Sequence, residues 1–129
     1  MKQINRVIAV ILLFLGLTFT VNAMPPDQMK KLLNLTQNSW VSFRDFNGKQ
    51  LIYFTHLEAY RCGIKEVRYS LNNDDLDKVW ELDSCKSEGI SSIKKDLVYL
   101  RLPLGTAQSI AVQLLFADGT KSEVLHKNP

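Results

Sequence analysis

The chain has 129 residues, 46% hydrophobic, 9% aromatic and 22% charged, with 16 Lys and Arg against 13 Asp and Glu. That is room for one domain with a real core but not for two. The basic excess is small and two of its cations sit at the extreme N-terminus, so charge gives no footing for a nucleic-acid-binding role.

Lys2 and Arg6 precede an almost unbroken apolar run over residues 7–19, followed by Thr20-Val21-Asn22-Ala23 and then Met24-Pro25-Pro26. A basic start, an apolar middle and small or β-branched residues before Ala23 read as a secretory signal peptide cut after Ala23. A membrane span needs about 20 apolar residues, and the polar residues arrive too soon for one. The expected mature chain, 24–129, carries 14 basic and 13 acidic residues, with no Lys/Arg cluster. The expected organisation is a signal peptide over 1–23, a lead over 24–38 and a β-domain over 39–129. The expected location is the periplasm or outside the cell, with no stable membrane span after cleavage.

In the lead, Pro25-Pro26-Asp27 followed by Met29, Leu32, Leu33 and Leu35 predicts a turn or two of helix, or an irregular segment. From Trp40 on, short β-rich runs alternate with turn residues every ten or so positions, the spacing of a sandwich or barrel. Residues 40–46 and 50–55 flank Asn47-Gly48, the dipeptide that most readily takes the positive φ angles of a tight hairpin. Over residues 64–71, Val67, Tyr69 and Leu71 share one face while Glu66, Arg68 and Ser70 share the other. Asn72-Asn73-Asp74-Asp75 makes a polar turn, and residues 78–83 predict a strand with Trp80 and Leu82 inward. Residues 86–95 read as a Ser- and Lys-rich loop. Residues 97–102 then alternate with Val98, Leu100 and Leu102 on one side, and Pro103 stops the run. Ile110, Val112, Leu114 and Phe116 share a face before a turn at Ala117-Asp118-Gly119-Thr120, and residues 122–126 return. With no helix-length periodicity from residue 40 on, the α/β nucleotide-binding architectures are excluded.

Cys62 and Cys85 are an even pair in a chain expected to reach an oxidising compartment, so a single disulfide is expected, closing a loop of about 24 residues. It would tie together the ends of the hairpin formed by residues 64–71 and 78–83. His56 and His126 stand at no metal-ligand spacing. The run Asn73-Asp74-Asp75-Leu76-Asp77 has oxygens at alternate positions, but a calcium loop counted from Asn73 needs Gly where Lys78 stands and Glu where Ser84 stands. No G-x-S-x-G elbow or Gly-rich phosphate loop is present. His56 with Glu58 two residues on would share a strand face, which reads as a solvated surface before it reads as an acid–base pair. No catalytic residue, cofactor or metal site is therefore expected.

Residues 53–62 hold Tyr53, Phe54 and Tyr60 beside His56, Glu58 and Arg61, a concentration of the side chains that contact surfaces enrich. Tyr53, His56, Glu58, Tyr60 and Arg61 are the expected partner surface, with core filling by the aromatics as the alternative.

The strand Val67-Arg68-Tyr69-Ser70-Leu71-Asn72, the later Ile110-Ala111-Val112 strand and Asp118-Gly119-Thr120-Lys121-Ser122 resemble the bacterial immunoglobulin-like or fibronectin-III-like modules of secreted glycosidases, over roughly residues 62–125. In size, export signal and single disulfide the chain also resembles the small periplasmic inhibitors of lysozyme. The first resemblance implies an all-β, immunoglobulin-like sandwich of about seven strands. The expected function is a non-catalytic binding module for an envelope protein or surface glycan, acting through residues 53–61 or a sheet edge. A small secreted hydrolase or hydrolase inhibitor, and a structural spacer, are the alternatives.

Overall fold

The computed structural model describes residues 24–86, 93 and 97–129. The signal-peptide assignment and most of the loop expected over 86–95 lie outside the described residues. Helix α1 (Pro26–Leu35) and a 3-10 turn (Gln37–Ser39) lead into β1 (Ser42–Phe46) and β2 (Lys49–Tyr53). Helix α2 (Thr55–Ala59) and a second 3-10 turn (Arg61–Gly63) follow, then β3 (Ile64–Leu71), β4 (Lys78–Trp80), β5 (Tyr99–Pro103), β6 (Ile110–Phe116) and β7 (Leu125–Lys127).

These strands form two antiparallel sheets, β1-β2-β5 and β4-β3-β6-β7. The chain changes sheet after β2, after β4 and after β5. These three crossovers set the two sheets on either side of one core, a β-sandwich arrangement. Period-two alternation supplies the core from both sides. Phe43, Ile52, Leu100 and Leu102 point in from the first sheet, and Val67, Tyr69, Ile110, Val112, Leu114 and Phe116 from the second.

The Asn47-Gly48 turn closes β1 onto β2 with both residues at positive φ (52° and 73°), as the dipeptide predicts. Helix α1 belongs to the domain. It buries Met29 and Leu33, and the Trp40 indole N–H donates at 2.8 Å to the Leu33 carbonyl, which also accepts from the Thr36 N–H at the helix end. The approach is close enough to require glycine at position 63, where an added Cβ would stand 2.8 Å from Met29 Cβ.

Two side-chain amides pin the connection that crosses from β5 to β6. Gln50 donates to the Ala107 carbonyl and accepts from the Ala107 N–H, both at 2.8 Å, in the manner of an extra strand pair. From the other sheet, Asn72 donates to the Thr106 carbonyl (2.8 Å) and accepts from the Gln108 and Ser109 amides (2.7 and 3.2 Å). Gln50 is 3% exposed, so its amide is satisfied inside the protein rather than by solvent.

Three expectations need correction. β4 ends at Trp80 rather than running to Asp83, because the Asp83 amide leaves β3 to donate to the Glu58 carboxylate (3.2 Å). β7 is shorter than residues 122–126. Ser122 Oγ takes the Leu114 N–H that a strand carbonyl would otherwise accept (2.9 Å), and regular pairing resumes only at Leu125. Residues 55–59 are not strand but the short helix α2, for a reason that bears on the site.

Cys62 and Cys85 form the expected disulfide, with a sequence separation of 23, joining the segment before β3 to the segment after β4. Closing that loop removes unfolded-state entropy worth roughly 3 kcal/mol. A Cys62→Ala/Cys85→Ala variant is expected to lose about that much in urea denaturation, with an unchanged native circular dichroism spectrum at low temperature.

Candidate binding face

The expected partner surface divides in the structure. After β2 the buried positions are Phe54, Leu57, Glu58 and Arg61, at offsets 0, 3, 4 and 7. That is one face of a helix, and two of its four members are charged.

Glu58 is fully buried, and its carboxylate accepts from the Trp80 indole N–H (3.0 Å) and the Asp83 amide (3.2 Å). Arg61 is 5% exposed and donates to the Ser84 carbonyl (3.0 Å) and to Glu58's own carbonyl (2.9 Å). Phe54 stacks on Trp80, with ring centroids 4.3 Å apart and planes within 10°. Glu58 and Arg61 are thus interior residues that fasten α2 to the segment leaving β4.

His56 and Tyr60 lie on the other side of α2, half-buried, with rings 5.0 Å apart. The Thr36 hydroxyl spends its proton on the Leu32 carbonyl (2.7 Å), so it accepts from His56 Nε2–H at 2.9 Å. Burial holds the His56 imidazole below its ordinary pKa. With Glu58 turned inward, no acid–base pair exists between residues 56 and 58.

Tyr53 alone of the five stands on a sheet, and it leads to a face the sequence reading did not single out. On the outer side of β1-β2-β5 the register gives three rows: Ser42, Tyr53 and Tyr99; Arg44, Leu51 and Arg101; and Phe46, Lys49 and Pro103. Ser42, Arg44, Phe46, Arg101 and Pro103 are exposed. The rings of Tyr53 and Tyr99 lie 5.3 Å apart and tilted by 52°, and the Arg44 guanidinium sits 4.4 Å from the centre of the Phe46 ring.

Leu51 is only 6% exposed although it faces outward. Its cross-strand neighbours are Arg44 and Arg101, whose aliphatic stems are the kind of side chain that shields such a position while the charged heads stay in water. Three cations and two tyrosines thus share nine positions that include no carboxylate.

The outer face of the other sheet is built differently. There the 72–77 turn folds back, Asp74 meets His126 Nε2 at 2.9 Å, and Ser70 and Ala111 between them are buried. Asn73 and Asp75 of the acidic run close their own turn through a 3.0 Å side-chain bond. Among the described residues no group of three or more His, Cys, Asp or Glu side chains is placed to hold a metal ion, and no helix is long and apolar enough to cross a membrane.

Replacing Glu58 with Leu strands the buried Trp80 N–H and the Asp83 amide. A loss of about 2–4 kcal/mol is expected in chemical denaturation, with a red-shifted tryptophan emission. The unfolded chain protonates His56 near pH 6.5 and the folded chain only at lower pH. Its contribution is therefore fully present above that pH and is lost as the pH falls through the depressed folded value. Melting temperatures at pH 7.5 and 5 are expected to differ less in His56→Gln than in the parent.

The chain matches no protein-family model, no curated protein and no solved structure.

Proposed function

We propose that this protein is an exported, non-catalytic binding module that engages an envelope protein or surface glycan through the outer face of β1-β2-β5. The observation that carries the reading is the composition of that face: Tyr53, Tyr99, Arg44, Arg101 and Lys49 side by side on a regular sheet, with no acid among them. Tyrosine and arginine give large contact area with polar tips at little conformational cost, which is why contact surfaces favour them. Mounting them on paired strands fixes their spacing before any partner arrives, so little ordering entropy is left to lose on binding.

Export to the periplasm or beyond is supported by the N-terminal sequence pattern and by the disulfide, a bond that persists in oxidising compartments. The same composition argues against a spacer, which has no use for a cationic, tyrosine-bearing face.

The test is capture from an envelope fraction with the oxidised chain 24–129, beside Arg44→Glu/Arg101→Glu and, as a control for charge alone, Lys65→Glu on β3. A partner held by the parent and by Lys65→Glu, and lost at least about tenfold with the double variant, is the expected result. Equal capture by all three proteins removes the face from the reading, and no capture by any of them favours the spacer. Inhibition of a purified lysozyme or protease by the parent chain would replace the binding module with an inhibitor.

A further inference from the structure

The chemistry of the ligand follows from the layout of the same face, and the inference rests on the binding role just proposed. We infer that the face takes an acidic glycan, a sugar chain carrying carboxylates, laid along β2. Successive rows are two residues apart along the strand, about 7 Å, so the face runs about 13 Å from the tyrosine row to the Lys49 row. That is enough for a short oligosaccharide.

A chain on this track passes over Tyr53, then Leu51, then Lys49, with Arg44 on one flank and Arg101 on the other, each one strand spacing of about 5 Å from β2. The tyrosines at one end offer ring faces against which the C–H side of a sugar can lie. The arginines present forked donors at the height where substituents on the sugar ring would project, and a fork of that kind matches a carboxylate. No Asp or Glu is among the nine positions, so none of them repels an anion.

A protein partner is less well served. Protein interfaces gain most from an apolar centre that both sides desolvate, and the centre here is Leu51, 6% exposed between the two arginines. The apolar surface nearest to it, Phe46, is already occupied by the Arg44 guanidinium.

The probe is polygalacturonate, run in affinity gels against its fully methyl-esterified form, which keeps the sugar backbone and loses the charge, and against polyglutamate, which keeps the charge and loses the rings. The chain 24–129 is expected to be retarded by polygalacturonate and by neither control. Arg44→Glu and Arg101→Glu are each expected to weaken retardation at least about tenfold, and Lys65→Glu to leave it unchanged. Tyr99→Ala is expected to weaken it to a similar degree at constant net charge, with Tyr99→Leu as the strand-compatible alternative should the alanine variant unfold.

Equal retardation by polyglutamate overturns the glycan in favour of an acidic polypeptide, and equal retardation by the ester overturns the role of charge. No retardation, or retardation indifferent to Arg44 and Arg101, overturns the inference as a whole. Failure here together with a partner captured through the same face in the envelope experiment discards the glycan and keeps the binding role, whereas failure of both discards both.

Discussion

The carboxylate of Glu58 is the group around which this molecule is arranged. A bare carboxylate inside a protein costs several kcal/mol, so its burial is tolerable only if hydrogen bonds replace the water it loses. Those bonds come from the Trp80 indole and the Asp83 amide, which means the end of β4 must come to α2. Arg61 repeats the demand from the next turn by reaching the Ser84 carbonyl, and the Cys62–Cys85 bond makes the same junction covalent. Residues 58–62 and 80–85 are thereby held by a buried carboxyl acceptor, a guanidinium donor and a disulfide within a few positions of one another.

The outer face of β1-β2-β5 depends on this junction. Phe54 lies flat on Trp80 in the core, and its amide pairs with the Val98 carbonyl at 2.7 Å, continuing the sheet past β2. Neighbouring residues on a strand point to opposite sides, so an inward Ile52 fixes an outward Tyr53, and β5 brings Tyr99 beside it. The contrast with the second sheet is one of cover. There the 72–77 turn closes over Ser70 and Ala111 and Asp74 meets His126, whereas the nine outward positions of the first sheet hold three cations and no acid.

Most of the fold was legible in the sequence because its signals are local and repeated. The alternation over Ile64–Leu71 and Ile110–Phe116, the Asn47-Gly48 turn and the cysteine pair each carry their meaning within a few residues. Helix α2 was not legible because its inward stripe of Phe54, Leu57, Glu58 and Arg61 is half charged. Hydrophobic periodicity registers a buried ion only as an interruption, and the bonds that make it a core residue come from Trp80, Asp83 and Ser84, far along the chain. The outer face of β1-β2-β5 was not legible for a related reason. Arg44, Leu51 and Arg101 become neighbours only once β5 has paired with β2, and single-strand alternation says nothing about which strands pair. Tyr53 stood out in the sequence because it sits in a locally aromatic stretch, and Tyr99 did not, because it has no such company.

The sheet order also sets the sequence in which the chain can acquire its shape. β1 joins β2 and β3 joins β4 through nearby residues, but Ile52 must find Leu100 and Tyr69 must find Val112 before either sheet is complete. Such distant closures place folding on the order of milliseconds to seconds rather than microseconds. A Cys62–Cys85 bond formed early would present β3 and β4 already aligned, with β3's free edge as a template for β6. The Asn72 clamp can engage once β6 has paired with β3, whereas the Gln50 clamp ties the same crossing to the other sheet.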